Sequence, residues 1–591
     1  MHLVLIETSG NQNYIFATNK LRENVGASEL TYRAGTQWVL EAVQAETQKK
    51  LWSENAATLR ENLCRPDLNQ PIDPGDNTAV EVITATSGKA LLLVNEREVG
   101  RRIIRAVTSR ALKEAPGLDV CGVISNPFDW NGKSLGEVNR EVHEKFEEVR
   151  AHRPGPALRF LRLPVIDECQ TSGLPAARAD RDEGDINKKV PRSELSLKKR
   201  DQEIADAYRQ RMQSLLDRKE IKKQFPRNPG DLEKRCDRLA VVHADGNGLG
   251  EIFLKFADHI DFEKDTASKE VLNSRYVKRL RAFSLALDVC TENAFIAALA
   301  EIAEREFHQD EGKVLPLLPI ILGGDDLTVM CDGKDALRFT NKFLTAFEVE
   351  TARIDHEIFG DIISKVAGNA FTPKRLSACA GVAIVKPHFP FSAAYDLAEG
   401  LITSAKRVKK LVTDPNKKDD KHPEIKTPWP CSSIDFHALY DSSSSELSEI
   451  RRKLRVDDDA TKLYARPYVV TCESLLQEGA TAANGREWAL QHHWSKLQSC
   501  VEAILINDDE GRRALPNSQL HDLRAALFLG RETTKARYAL IRERYIDKGI
   551  KKLEADDGKL FAEDLKPDDD DKSRHITYLL DAMDAANFWR E

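Results

Sequence analysis

No two of the chain's ten cysteines stand at CxxC spacing. That excludes a zinc ribbon and a CxxC redox motif on pattern. Cys121, Cys290, Cys331 and Cys379 lie inside apolar stretches, as reduced core cysteines do, so a reducing cytoplasm is expected. No run approaches the roughly 18 consecutive apolar residues of a membrane span, and no membrane partner is expected. The opening MHLVLIETSG lacks a basic region and a small-residue cleavage site. It reads as a first strand, not a signal peptide. Positive charge is not in excess either: the net charge is −7. This argues against indiscriminate nucleic-acid binding and leaves room for local basic patches.

What is present is the composition of a globular protein, 41% hydrophobic and 31% charged over 591 residues. That length predicts several domains. Strand-like stretches fall at 2–6, 80–86, 90–94 and 118–124, with a hairpin turn at Ser87-Gly88-Lys89. A helix begins after residue 10. A second, with Val99, Ile103, Val107 and Ala111 on one face, is expected to be capped by Asn95 and Glu98. The order is βαββαβ, a ferredoxin-like unit. Ser134 and Glu137 cap another helix with Val138, Val142, Phe146 and Val149 inward. Residues 178–235 are densely charged and read as a long surface helix or linker.

The order βαββαβ recurs from residue 239. LAVVH forms a strand that runs into Asp245-Gly246-Asn247-Gly248-Leu249-Gly250, and a helical region extends to about residue 308. Residues 315–332, LPLLPIILGGDDLTVMCD, read as strand, turn, strand, with Gly323-Gly324 as the turn and Asp325-Asp326 at the tip. A helix over 334–350, a strand over 376–385 and a helix opened by Ser392 complete the unit. The two units form a diverged internal repeat, in which ETSGNQNYIF (7–16) parallels DGNGLGEIF (245–253). The first unit lacks the paired acids.

In such a unit the first strand lies beside the hairpin, so Asp245 is expected near Asp325. Adjacent carboxylates repel unless they share a cation. An all-oxygen cluster suits Mg²⁺ or Mn²⁺, and two such ions can activate a hydroxyl and stabilise departing pyrophosphate. Gly246, Gly248 and Gly250 let backbone approach a triphosphate. Lys406, nearest the inward face of its helix, is placed to meet phosphate. Rival motifs fail: Leu249 and Phe256 stand where a calcium loop needs ligands, Glu251 breaks GxGxxG, and no P-loop is present. His521-Asp522, in a helical pattern, reads as structural.

Together, DGNGLG, the GGDD hairpin and GVAIVKPHFPFSAAYDLAEGLITSAK (381–406) resemble the palm domain of the large subunit of type III CRISPR effector complexes. That palm is related to class III nucleotidyl cyclases and GGDEF domains. SGNQNYIFATNKLRENVGASEL (9–30) resembles the family's first palm. SSIDFHAL (432–439) and ARPYVV (465–470) resemble the family's segments on the C-terminal side of the second palm. The resemblance implies an α+β fold: a degenerate first palm (1–165), a charged helical linker (166–237), a GGDD palm (238–412) and a mainly helical C-terminal domain (413–591). It implies a nucleotidyltransferase that joins ATP into cyclic oligoadenylate, partnered by other effector subunits and by guide and target RNA. Asp245, Asp325 and Asp326 would hold two Mg²⁺ or Mn²⁺ ions. Gly246, Asn247, Gly248, Gly323, Gly324 and Lys406 would contact nucleotide, and Ser28 and Arg22 a second ATP. Many family members begin with an HD nuclease domain; this chain starts at the palm strand, so DNA nicking is not expected. Cys169 alone remains of a family zinc site, so zinc is not expected. A non-catalytic scaffold subunit and a standalone cyclic-nucleotide synthase are the alternatives.

Overall fold

The computed structural model describes the chain except residues 73–79, 87, 183–186, 227–229, 231, 233–235, 264–266, 304–313, 419–425, 441–445, 478–482, 566–572 and 590–591. Ser87, part of the charged 413–430 linker and the acidic run at 567–572 lie outside the described residues.

Both ferredoxin-like units are present. In the first, β1 (His2–Ser9), β2 (Val80–Thr86), β3 (Lys89–Val94) and β4 (Asp119–Ile124) form an antiparallel sheet in the order β2-β3-β1-β4. Leu3, Val4, Leu5 and Ile6 are buried on both faces of β1, which explains its continuous apolar run. The second helix runs Arg97–Glu114 with Glu96, not Asn95, at its N-cap and no side-chain cap bond, so the expected capping box does not form. Its face of Val99, Ile103, Val107 and Ala111 is buried as the 3.6-residue period predicts.

The segment 166–237 is not one surface helix. It holds a short hairpin, β5 (Arg178–Arg181) and β6 (Lys189–Arg192), and helices Glu194–Lys199 and Gln202–Asp217. Its charge density suggests solvent, but several of these charges are buried as partners. Arg192 and Arg200 face Glu23 of the first palm at 3.9 and 3.6 Å, and the Lys199 ammonium lies 4.0 Å over the Tyr14 ring. Helix Gln202–Asp217 packs on helix Leu21–Gly35.

The second unit contains β7 (Leu239–Gly246), β8 (Leu317–Gly323), β9 (Asp326–Asp332) and β10 (Ala378–Val385), in the order β10-β7-β9-β8. This is the strand order of the first unit. The edge strand β8 carries Pro319 at a bulge, a position that an imino acid tolerates. Between β7 and β8 runs the helix Lys269–Ala303, long and apolar enough to cross a membrane by length and composition. It is a core helix, with 67% of its apolar window buried, packed on helix Gly333–Ala352 and on β2 of the first palm.

The C-terminal region is less purely helical than expected. A small hairpin, β11 (Thr413–Lys418) and β12 (Lys426–Pro428), leads to β13 (Ser433–Ala438), which pairs parallel with β10. Then come β14 (Arg455–Val456), β15 (Thr461–Lys462) and β16 (Tyr468–Val469), the last pairing with β13 and making the palm sheet six-stranded. Strands β17 (Ala562–Glu563) and β18 (His575–Ile576) join β14 and β15 in a separate sheet. Helices fill the rest, and Trp494, Leu497, Leu523 and Leu579 are buried among them.

Candidate functional site

The turn between β8 and β9 is shifted by one residue from the one the sequence predicts. Gly323 pairs with Asp326, so the two turn residues are Gly324 and Asp325. Gly324 supplies the positive φ of 62° that the turn requires. Asp325 is therefore at the tip and Asp326 is the first residue of the returning strand.

Strand β7 lies between β9 and β10 and carries Asp245 one residue beyond Ala244, which pairs with Leu327. Carboxylate oxygens of Asp245, Asp325 and Asp326 come within 4.8 Å of one another. Gly246 makes this possible. A Cβ there would lie 2.8 Å from the Asp325 Cβ and 2.9 Å from its Oδ2. Gly248, with φ 77°, caps the short helix Leu249–Leu254. The Asn247 side chain is buried in structural bonds, donating to Ser377 Oγ at 3.0 Å and accepting from the Cys379 thiol at 3.1 Å.

Three acids in so small a space disturb one another. Burial and the neighbouring Asp245 charge push the Asp325 carboxyl up to about 7. Burial, then the Asp325 and Asp245 charges, hold Asp326 well above the ordinary carboxylate range. Lys406, at the end of helix Phe391–Ala405, forms an ion pair with Asp245 Oδ2. Burial opposes the charge on Lys406, but Asp245 prevails and its pKa is raised. The single ammonium leaves the other two carboxyls underneutralised. An all-oxygen donor set with raised carboxyl pKa values fits a hard divalent cation.

Two residues that sequence reasoning missed brace the turn. The Gly324 N–H donates to Asp288 Oδ1 at 2.5 Å, and Thr291 Oγ1 donates to the Gly324 carbonyl at 2.5 Å. Both lie on helix Lys269–Ala303. A carboxylate inside the apolar stretch SLALDVC was the available signal. A second missed network joins the palms. Gln12 Nε2 and the Tyr395 hydroxyl donate to Glu399 Oε1 at 2.7 and 2.9 Å, and His243 Nε2 lies 3.2 Å from the same oxygen.

A cavity of about 150 Å³ lies between the palms, lined by Asp326, Gly323 and His243 from the second and by Asn11, Ser28 and Gly88 from the first. Ser28 thus faces the shared space. Arg22 does not line it. Its guanidinium donates to the Arg200 carbonyl at 2.9 Å and to Gln202 at 3.3 Å.

The repeat is legible at this point residue by residue. Glu7 on β1 stands opposite Cys121 of β4 as Asp245 stands opposite Cys379 of β10. Lys89 closes its hairpin opposite Thr86 as Asp326 closes its own opposite Gly323. Where the second palm has two carboxylates, the first has a Lys89–Glu7 ion pair of 3.2 Å.

These features define a class: a tandem-palm protein in which, among the described residues, the second palm alone carries an acidic cluster at the hairpin. Residues 238–412 match the family model described as Cas10/Cmr2, second palm domain. No curated protein matches the chain. Among solved structures, a Csm1-Csm4 cassette in complex with cA4 is similar at 14% identity and a TM-score of 0.39, with 72% of this chain and 56% of that chain covered. The cassette in complex with AMPPNP gives 11% and 0.45, covering 93% and 64%. A type III-B Cmr-beta apo state gives 12% and 0.44, covering 92% and 77%. The chain thus spans 56% of the length of the first of these relatives.

Proposed function

We propose that the second palm is a metal-dependent nucleotidyltransferase that joins ATP into cyclic oligoadenylate, as the large subunit of a type III CRISPR complex. The observation that carries this reading is the convergence of Asp245, Asp325 and Asp326 within 4.8 Å at a braced hairpin in a segment matching the Cas10/Cmr2 second palm. Mg²⁺ or Mn²⁺ held by these three carboxylates would supply a polarised hydroxyl and charge neutralisation at the leaving pyrophosphate.

The chain's own groups do the rest. The hydrogen bond that Asp288 accepts and the one that Thr291 donates fix Gly324, and with it the direction of Asp325. Gly323 and Gly324 leave the hairpin surface bare, so a nucleotide can lie against backbone. Lys406, which pairs with Asp245 at the edge of the cluster, is the ammonium placed to meet phosphate. Ser28 and Asn11 offer hydrogen bonds to a second nucleotide across the cavity between the palms. The first palm, with an ion pair in place of acids, binds and orients without holding a catalytic cation.

The test is incubation of the assembled complex and target RNA with ATP and Mn²⁺, reading products by mass spectrometry. Cyclic oligoadenylate from the wild type and none from an Asp325→Ala, Asp326→Ala double variant is expected. Synthesis retained in that variant would overturn the reading. A wild-type complex that makes no product leaves the scaffold role.

A further inference from the structure

Consecutive residues at the end of helix Phe391–Ala405 serve opposite faces. Lys406 turns to Asp245. Arg407 lines a second cavity, of about 860 Å³, between this helix and the C-terminal domain. Its walls come from helix Val408–Leu411 on the palm side and from helix Leu447–Lys453, β14 and β15 on the other. Seven lysine and arginine side chains line it against three carboxylates, in a protein whose net charge is −7. This is the local basic patch that the overall charge conceals.

Three of these seven cations are not consumed by the fold. Among the described residues, Arg407, Lys410 and Arg452 have no ion-pair partner, and Arg407 and Arg452 are exposed at the cavity wall. Deeper in, Arg451 stacks over the Tyr464 ring at 4.3 Å and donates Nη2 to Asp435 at 2.5 Å. Its Nε and Nη1 are buried with no hydrogen-bond partner. The Trp488 indole N–H, also in the lining, is buried without an acceptor. Buried donors left unpaired are costly unless a ligand completes them. A planar guanidinium with two free donors matches a phosphate fork. The cavity has the size of a ligand site.

We infer that this cavity binds the phosphodiester backbone of a short single-stranded oligonucleotide. A strand is favoured over a compact anion because the cations are dispersed on two walls rather than converging. Tyr464 and Trp488 also lie in the lining, but their rings are buried and already stacked by Arg451 and His492, so phosphate contacts carry the binding. The inference does not depend on turnover in the palm.

Fluorescence anisotropy of a labelled four-nucleotide RNA on the full chain tests it. With Asp325→Asn as background, binding is expected to persist, because the palm cluster is not involved. Arg407→Glu with Arg452→Glu is expected to weaken binding at least tenfold. The milder Arg407→Gln, Arg452→Gln pair should lower the salt slope by about 1.4, the value for two lost phosphate contacts on a single strand. Ultraviolet crosslinks should map to the wall formed by helix Leu447–Lys453, β14 and β15. Unchanged affinity in both pairs, crosslinks confined to other segments, or equal competition by inorganic triphosphate would each overturn the inference.

Discussion

Lys89 and Glu7 form a 3.2 Å ion pair at the positions that Asp326 and Asp245 occupy in the second palm. The first palm thus balances one acid with one ammonium, whereas in the second the Lys406 ammonium faces three carboxyls and a further cation is needed. Divalent-ion binding should therefore reside wholly in the second palm. Mn²⁺ titration followed by electron paramagnetic resonance should be unchanged, within twofold, in Glu7→Gln. It should be lost in Asp325→Asn with Asp326→Asn.

The Asp325 carboxyl, raised from 3.8 to about 7, is more protonated folded than unfolded. The folded state then holds the extra proton between those two values, so this site's contribution to stability falls as pH rises from about 4 to 7. Metal-free protein is expected to melt at a lower temperature at pH 7.5 than at pH 5.5 through this carboxyl. Mg²⁺ should restore the loss at pH 7.5. Asp325→Asn should raise the metal-free melting temperature at pH 7.5 and abolish the Mg²⁺ response. Scanning calorimetry at the two pH values reads both.

Gly246→Ala places a methyl group 2.4 Å from Leu249 Cδ1 and 2.8 Å from the Asp325 Cβ. Overpacking of this kind costs about 1–3 kcal/mol. Because Asp288 and Thr291 hold Gly324, the overlap falls on the Asp325 side chain, which should turn off the cluster. Mn²⁺ affinity is expected to fall at least tenfold while circular dichroism stays native.

Asp288→Ala leaves the Gly324 N–H without its acceptor. Loss of a hydrogen bond to a charged group costs about 1.5–3 kcal/mol. The variant should be destabilised within that range by urea unfolding and should lose nucleotidyl transfer about tenfold. Asp288→Asn, which keeps an acceptor oxygen, should recover most of both.

Lys406→Met removes the ammonium now paired with Asp245. Without nucleotide, Mn²⁺ should bind more tightly, because no internal cation competes. With ATP, turnover should fall, because phosphate loses its contact. Opposite signs in the two assays distinguish this role from simple unfolding.

Much of this is legible in the sequence for a definite reason. Strand β1 and strand β7 are buried on both faces and read as unbroken apolar runs, and the βαββαβ order grows out of them. The order in turn places Asp245 beside the hairpin. Contacts that depend on distant packing are not legible. Asp288 is separated from Gly324 by 36 residues, and its apolar surroundings signal that it needs a partner but not which one. Charge density makes the stretch 178–235 look solvent-facing, because charge usually is; here Arg192 and Lys199 are fully buried by pairing with the first palm. Arg22 sits in a motif that suggests nucleotide contact, yet it turns to Arg200, a partner that no local pattern reveals.

The parallel pairing of β13 with β10 runs over six residue pairs, from Cys379–Ser433 to Ile384–Ala438. A fragment that stops at residue 412 would leave that whole edge of β10 bare. Unpaired N–H and C=O groups on a flat apolar strand are a template for self-association. The stretch 431–439 therefore acts as a built-in guard against aggregation of the palm. Soluble expression of the isolated palm calls for an endpoint beyond Val469, where β16 closes the sheet.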